Sequence, residues 1–112
     1  MDENRFNVLR ELARDGTLSQ RDLSKRMGLS LGRVNYVVNA LLEEGYIKAN
    51  RFKNSKNKIA YMYVLTAKGV SAKIVQSYNF LQIKLEEFDR LRCEIEVLRQ
   101  ETGAGFHGYD KP

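Results

Sequence analysis

The side chains best suited to specific polar contacts lie in one predicted helix, from Leu31 to Glu44. At about 100° per residue, Val34, Val38 and Leu41 fall on one face of this helix. Apart from Glu43, the opposite face carries hydrogen-bond donors. Arginine and asparagine can bind the edges of guanine and adenine in the major groove, which admits a helix. We therefore predict contacts to double-stranded DNA from Ser30, Gly32, Arg33, Asn35, Tyr36 and Asn39.

Positive charge is concentrated in a second segment, between Tyr46 and Lys58. The formal net charge is +5, and the 12 Lys/Arg and 7 Asp/Glu residues from Met1 to Thr66 account for all of it. Between Tyr46 and Lys58 there are five basic residues and no acid. Such a local field favours a polyanion, and it predicts contacts to phosphates or to a narrow minor groove. The predicted contact residues are Arg51, Lys53, Asn54, Ser55, Lys56 and Lys58.

A third candidate group consists of Ser19, Gln20 and Arg21, at the start of a short predicted helix. Backbone N–H groups in the first turn of a helix bind anions, and these side chains can add hydrogen bonds. We predict that this group binds phosphates, which would position the protein without specifying a sequence.

No combination of residues indicates catalysis. Cys93 is the only cysteine and His107 the only histidine, so neither an internal disulfide nor a Cys-rich metal site can form. The sequence has no Ser-His-Asp set, no phosphate-binding glycine loop and no evident carboxylate pair. We expect no catalytic, cofactor-binding or metal-binding residues, and no enzymatic activity.

Signals for two helices precede the predicted helix from Leu31 to Glu44. The second of them forms a helix-turn-helix pattern with it. Apolar residues at helical spacing predict a first helix from Asp2 to Arg14. Ser19, with Asp22 three residues later, predicts the capped start of a second helix that ends near Met27. Gly28 then allows the turn into the third helix.

A β-hairpin is predicted after the third helix. The segments from Tyr46 to Lys53 and from Lys58 to Leu65 are rich in β-branched and aromatic residues, and the polar run from Asn54 to Asn57 separates them. The fold class is therefore mainly α with a small β-hairpin, a winged helix-turn-helix. Which strand faces are buried stays open because the register is unknown. Candidates for core contacts are Ile47, Tyr61, Tyr63 and Leu65.

The last predicted helix is capped by Thr66 and continues to about Glu101. Its apolar or aromatic positions recur every 3.5 residues on average, because the nine of them from Val70 to Leu98 make eight steps over 28 residues. This is the period of a coiled coil, and it predicts a homodimer. The predicted interface residues are Val70, Ile74, Tyr78, Leu81, Leu85, Phe88, Leu91, Ile95 and Leu98. We predict a DNA-binding domain over residues 1–66, a dimerisation helix over 67–101 and a flexible tail over 102–112.

Three runs of the sequence resemble the MarR family of bacterial winged-helix regulators, in particular its branch associated with exopolysaccharide gene clusters. They are Leu18 to Tyr36, Phe52 to Tyr61, and Leu-Thr-Ala-Lys-Gly from Leu65 to Gly69. The resemblance implies a dimeric regulator of transcription, with the recognition helix from Leu31 to Glu44 and the wing tip from Asn54 to Asn57. The Asp-x-Arg that is common in the MarR wing is absent here. MarR proteins usually have additional helices on both sides of the domain, whereas this sequence predicts one short helix before it and one long helix after it.

Two other functions remain open from the sequence: RNA binding by the same basic surface, and protein interaction through the long helix. The acidic start of the chain and the lack of a long apolar run predict a cytoplasmic location and no membrane contact. Neither an effector molecule nor the regulated genes can be identified from these residues.

Overall fold

The computed structural model describes residues 1–53, 56 and 59–103. The chain divides into two compact units, Met1–Gln76 and Ser77–Pro112. The last helix contributes residues to both units. The described elements in chain order are α1 (Glu3–Arg14), α2 (Gln20–Met27), α3 (Leu31–Glu43), β1 (Ile47–Lys53), β2 (Ile59–Leu65) and α4 (Ala67–Glu101).

The predicted signals for α2 and α3 are confirmed. The Ser19 hydroxyl accepts the backbone N–H of Asp22, and the Asp22 carboxylate accepts the backbone N–H of Ser19, at 3.0 and 2.9 Å. Gly28 ends α2 in the left-handed conformation, with φ 66°, and the Ser30 hydroxyl caps α3. These local bonds fix the angle at which α3 leaves α2.

The core of the first unit lies between α1, α2, α3 and the start of β1. Val34, Val38 and Leu41 are completely buried, as the helical spacing of α3 predicts. Each such side chain contributes about 1.5–3 kcal/mol by leaving water, so α3 is held firmly by this face. The buried cluster comprises Val8, Leu9, Leu12, Leu18, Leu23, Val34, Val37, Val38, Leu41 and Ile47.

The two strands form an antiparallel hairpin whose register runs from Ile47 opposite Leu65 to Lys53 opposite Ile59. Ile47 is buried, and Tyr63 and Leu65 pack against the core, as predicted. The candidate core position of Tyr61 is wrong, because its side chain is 55% exposed. Tyr61 pairs with Arg51, which lies four residues along β1 from the buried Ile47. At a rise of about 3.3 Å per residue, this pair is about 13 Å along the strand from Ile47. The hairpin therefore extends beyond the core.

The α4 helix begins as predicted at the Thr66 cap, where the hydroxyl accepts the backbone N–H of Gly69 at 3.1 Å. In the second unit its large apolar side chains are exposed, apart from the half-buried Phe80. Most of the predicted flexible tail, residues 104–112 with His107, lies outside the described residues. Within the described part of the chain, none of the helices has the length and apolar character needed to cross a membrane.

Candidate nucleic-acid interface

The predicted recognition face of α3 is exposed. Ser30, Gly32, Arg33, Asn35, Tyr36 and Asn39 are all accessible. Tyr36 is 60% exposed, a large fraction for an aromatic side chain in a folded unit. The guanidinium of Arg33 lies 6.0 Å from the centre of the Tyr36 ring, so a cation–π contact holds these two side chains on the same part of the helix. The opposite face anchors α3 in the core, and this face stays exposed.

Three amide side chains are joined across the helix-turn-helix. Asn35 donates a hydrogen bond from Nδ2 to Gln20 Oε1 at 3.1 Å, and Asn39 donates from Nδ2 to Asn35 Oδ1 at 3.1 Å. Gln20 is half-buried at the start of α2, whereas the two asparagines are exposed on α3. Sequence reasoning placed Gln20 with the phosphate contacts and did not detect this connection. The one available signal is that Asn35 and Asn39 are four residues apart, a spacing at which helical side chains meet.

The start of α2 and the start of α3 border an open groove. Its lining comprises Ser19, Gln20, Arg21, Leu31, Gly32 and Asn35. Apart from Gly32 itself, its two chain neighbours and the nearby backbone of α3, no atom of the described residues lies within 4 Å of the position where Gly32 would carry a Cβ atom, so the backbone of α3 is accessible there. Two of the three sequence-predicted groups thus meet in one place. A phosphate or a base edge could approach both helices from this groove.

The described basic residues of the predicted wing are also exposed. Arg51 and Lys53, two residues apart on β1, share one face of the strand. Lys56 is exposed in the turn. The other predicted contacts of this group, Asn54, Ser55 and Lys58, lie outside the described residues. The described part of the hairpin contains no acidic residue that would offset the positive charge.

Contacts at its C-terminal end hold α3 in place. Glu44 follows α3 and forms an ion pair with Arg5 of α1, with 2.9 Å between the guanidinium and carboxylate atoms. Lys68, in the first turn of α4, donates to the backbone carbonyl of Glu44 at 2.6 Å and lies 4.7 Å from the Tyr46 ring centre. Elements on two sides therefore restrain the end of the recognition helix, which limits its movement against the core.

The predicted interface residues of α4 are exposed in the single chain. Val70 and Ile74 belong to the first unit, and the other seven belong to the second. Exposures range from 43% at Ile95 to 66% at Tyr78. No group of three or more His, Cys, Asp or Glu residues suited to a metal ion occurs among the residues described.

Comparisons with known proteins agree with this fold. Residues 1–48 match the family model of winged helix-turn-helix DNA-binding domains. The structure is similar to that of a MarR/EmrR family transcriptional regulator from Acinetobacter sp. ADP1, with 25% identity, a TM-score of 0.64, and coverage of 93% of this chain and 78% of that one. No curated protein matches the sequence.

Two further solved structures share the fold at lower identity. For ZitR of Lactococcus lactis, the identity is 20% and the TM-score 0.65, with 90% of this chain and 77% of that one covered. For the adhesin competence repressor AdcR of Streptococcus pyogenes, the identity is 16% and the TM-score 0.63, with 93% of this chain and 78% of that one covered. The chain thus contains a winged helix-turn-helix DNA-binding domain, and its fold is shared with MarR-family transcription regulators.

Proposed function

We propose that this protein is a transcriptional regulator of the MarR type that binds specific sequences in double-stranded DNA as a homodimer. The observation that carries the proposal is the exposed face of α3. Arg33, Tyr36 and Asn39 are accessible there, while Val34, Val38 and Leu41 hold the helix from behind. A rigidly held helix with exposed donors can enter the major groove and read base edges.

The basic hairpin supports nucleic acid over a protein partner. Arg51, Lys53 and Lys56 are exposed, and the described strands carry no acid. Phosphate contacts of this kind supply affinity that is independent of sequence and position the reading helix. The phosphate contacts of Ser19, Gln20 and Arg21, and of the wing residues as a group, are part of the same proposal.

Homodimer formation through α4 follows from the exposed apolar positions of that helix. Phe88, Leu91 and Leu98 are 60%, 55% and 57% exposed. Apolar side chains that recur with a period of 3.5 residues form a continuous seam when a second helix packs against them. Full burial of such a side chain contributes about 1.5–3 kcal/mol, and these three residues still have more than half of their surface to bury. The partner that we propose for this seam is a second copy of the chain.

Exopolysaccharide-related genes are the proposed targets. This part rests on the resemblance of the segments from Phe52 to Tyr61 and from Leu65 to Gly69 to regulators associated with such gene clusters. Mapping of the genomic sites bound in cells tests it directly. Bound sites that are not near such genes would contradict the target, while DNA binding itself would stand.

The test of DNA binding is a competition among nucleic acids. The full chain is incubated with a pool of random-sequence DNA duplexes, and bound duplexes are enriched over several rounds and sequenced. We expect one enriched motif, and its duplex should compete better than RNA of the same sequence. Arg33→Ala with Tyr36→Ala should abolish the enrichment, whereas Arg90→Ala, on the exposed surface of α4, should preserve it. Preferential binding of RNA, or no enriched motif, would refute the proposal.

A further inference from the structure

Two hydrogen bonds of 3.1 Å each link the side chains of Gln20, Asn35 and Asn39 into an amide series. These bonds orient the two amide groups that α3 contributes. A primary amide has one carbonyl oxygen and two N–H donors. Asn35 uses its oxygen toward Asn39 and one N–H toward Gln20. Its amide plane is therefore restrained from both sides.

Asn39 is the free end of this amide series. Its Nδ2 uses one N–H in the bond to Asn35 Oδ1, and its Oδ1 has no partner among the described residues. The outward edge of Asn39 thus offers one acceptor and one donor. Without the bond to Asn35, the amide could rotate or reverse and present these atoms in the opposite order.

This outward edge is complementary to one base in particular. Adenine presents an acceptor, N7, and a donor, the N6 amino group, in the major groove, and asparagine pairs with both. Guanine presents two acceptors there, N7 and O6, so the Asn39 carbonyl would face another acceptor. A restrained Asn39 therefore favours adenine over guanine at the base pair that it contacts.

We infer that Gln20 is a specificity-determining positioning residue, which acts through Asn35 to give Asn39 its preference for adenine. The inference rests on the proposed function, since it assumes that α3 enters the major groove. It assigns Gln20 a role beyond a phosphate contact. The Nε2 donors of Gln20 take no part in the amide series and stay available for a phosphate.

Two substitutions at Gln20 separate the acceptor from the rest of the side chain. Gln20→Met keeps the approximate length but removes Oε1, so Asn35 loses its restraint. Gln20→Glu keeps an acceptor for Asn35 and adds a negative charge, which weakens binding to every duplex. Gln100→Met is the matched control, because it makes the same replacement at an exposed position near the end of α4.

The experiment is enrichment of random DNA duplexes by the full chain and by each variant, followed by comparison of the base frequencies in the enriched motif. We expect the parent to select adenine at one position of each half-site and Asn39→Ala to lose that selection. Gln20→Met should reduce it about fivefold, the ratio that one hydrogen bond of ordinary net strength supplies. Gln20→Glu should bind more weakly yet select adenine as the parent does, and Gln100→Met should match the parent in both respects.

The outcomes distinguish this inference from the proposed function. If the parent enriches a motif and Gln20→Met selects adenine as strongly as the parent, the inference is wrong and the proposed function stands. Equal loss of selection in Gln20→Met and Gln20→Glu would also overturn it, because the acceptor would then not be the cause. If the parent enriches no motif, the proposed function fails, and the inference fails with it. Thermal unfolding of each variant confirms that the first unit is folded.

Discussion

The backbone of Gly69 lies directly against the carbonyl group of Tyr46, and a Cβ atom at position 69 would overlap that oxygen. The same carbonyl accepts the backbone N–H of Thr66 at 3.0 Å. Close packing at Gly69 and hydrogen bonding at Thr66 therefore join the start of α4 to the turn that follows α3. Gly69 is the final residue of the Leu-Thr-Ala-Lys-Gly run, and this contact is the physical reason for glycine there.

Gly69→Ala should therefore destabilise the first unit. The neighbour that must shift is backbone, which cannot move aside as a flexible side chain can, so we expect a loss of about 1–3 kcal/mol in the free energy of unfolding. Gly32→Ala is the control, since the added Cβ of this helical glycine would meet no other element among the described residues, and it should gain at most about 0.5–1 kcal/mol, the figure for the middle of a helix. Urea unfolding at one fixed protein concentration measures both. Equal stabilities for Gly69→Ala and the parent would show that α4 can shift at no cost.

The capping box of α2 should make stability depend on pH. The backbone N–H of Ser19, and then its side chain, hold the pKa of the Asp22 carboxyl below its ordinary value. A carboxyl whose pKa is lowered by folding stabilises the protein above its unfolded-state pKa of about 3.9, and that contribution is lost as the pH falls through the folded value. Asp22→Ala should therefore be less stable than the parent at neutral pH, with a smaller difference in acid.

Urea unfolding of the parent and of Asp22→Ala across this pH range measures the difference. Asp22→Asn is the control, because its amide oxygen can still accept the Ser19 N–H but does not titrate in this range. Its free energy of unfolding should lack the part of the acid loss that Asp22 causes in the parent. A gap between the parent and Asp22→Ala that stays constant down to the lowest pH would mean that the carboxylate charge is not what matters.

How far the sequence predicts this fold depends on the range of the interactions involved. The capping box of Ser19 and Asp22 and the left-handed turn at Gly28 were predictable because each depends on residues within a few positions. The buried face of α3 follows from helical period alone. By contrast, the backbone N–H of Tyr63 donates to the carbonyl of Gly16 at 2.9 Å, and this bond joins segments that no local pattern connects.

The candidate site was predictable to a similar extent. The exposed face of α3 and the exposed basic strand follow from period and charge, and the structure leaves both accessible. The bond between Gln20 and Asn35 was not predictable, since it depends on the packing angle between α2 and α3. The position of Tyr61 depends on hairpin register, which alternation along one strand does not determine.

The wing should control how binding responds to salt. Removal of one phosphate-binding side chain should reduce the slope of log affinity against log salt by about 0.9 for duplex DNA. Replacement of Lys53, Lys56 and Lys58 together by alanine should therefore reduce the slope by up to about 2.7 and weaken binding to all duplexes alike. Titrations of the enriched duplex and of a scrambled duplex at several salt concentrations measure this. An unchanged slope, or weaker binding of the enriched duplex alone, would mean that these lysines do not bind phosphates.

Dimer formation should depend on the apolar stripe of α4, and DNA affinity should depend on dimer formation. Phe88→Glu with Leu91→Glu places two charges in the proposed seam, where burial without a partner is costly, so the chains should separate. The first unit should remain folded, because Phe88 and Leu91 belong to the second unit. A matched control is Asn79→Glu with Cys93→Glu, which adds the same charge at exposed positions on the face away from the stripe and should leave the dimer intact.

Sedimentation equilibrium and titration with the enriched duplex test both parts of this prediction. Two linked DNA-binding domains make the second contact effectively intramolecular, so separation of the chains should cost about 10²–10⁴ in affinity. The enriched motif should be an inverted repeat, with half-sites about 10–10.5 bp apart or a multiple of that, because a two-fold dimer presents its recognition helices to one side of the duplex. A charged-seam variant that stayed dimeric would place the interface elsewhere. A monomeric variant that bound with the parent's affinity would show that one winged helix suffices, and the inverted repeat should then be absent as well.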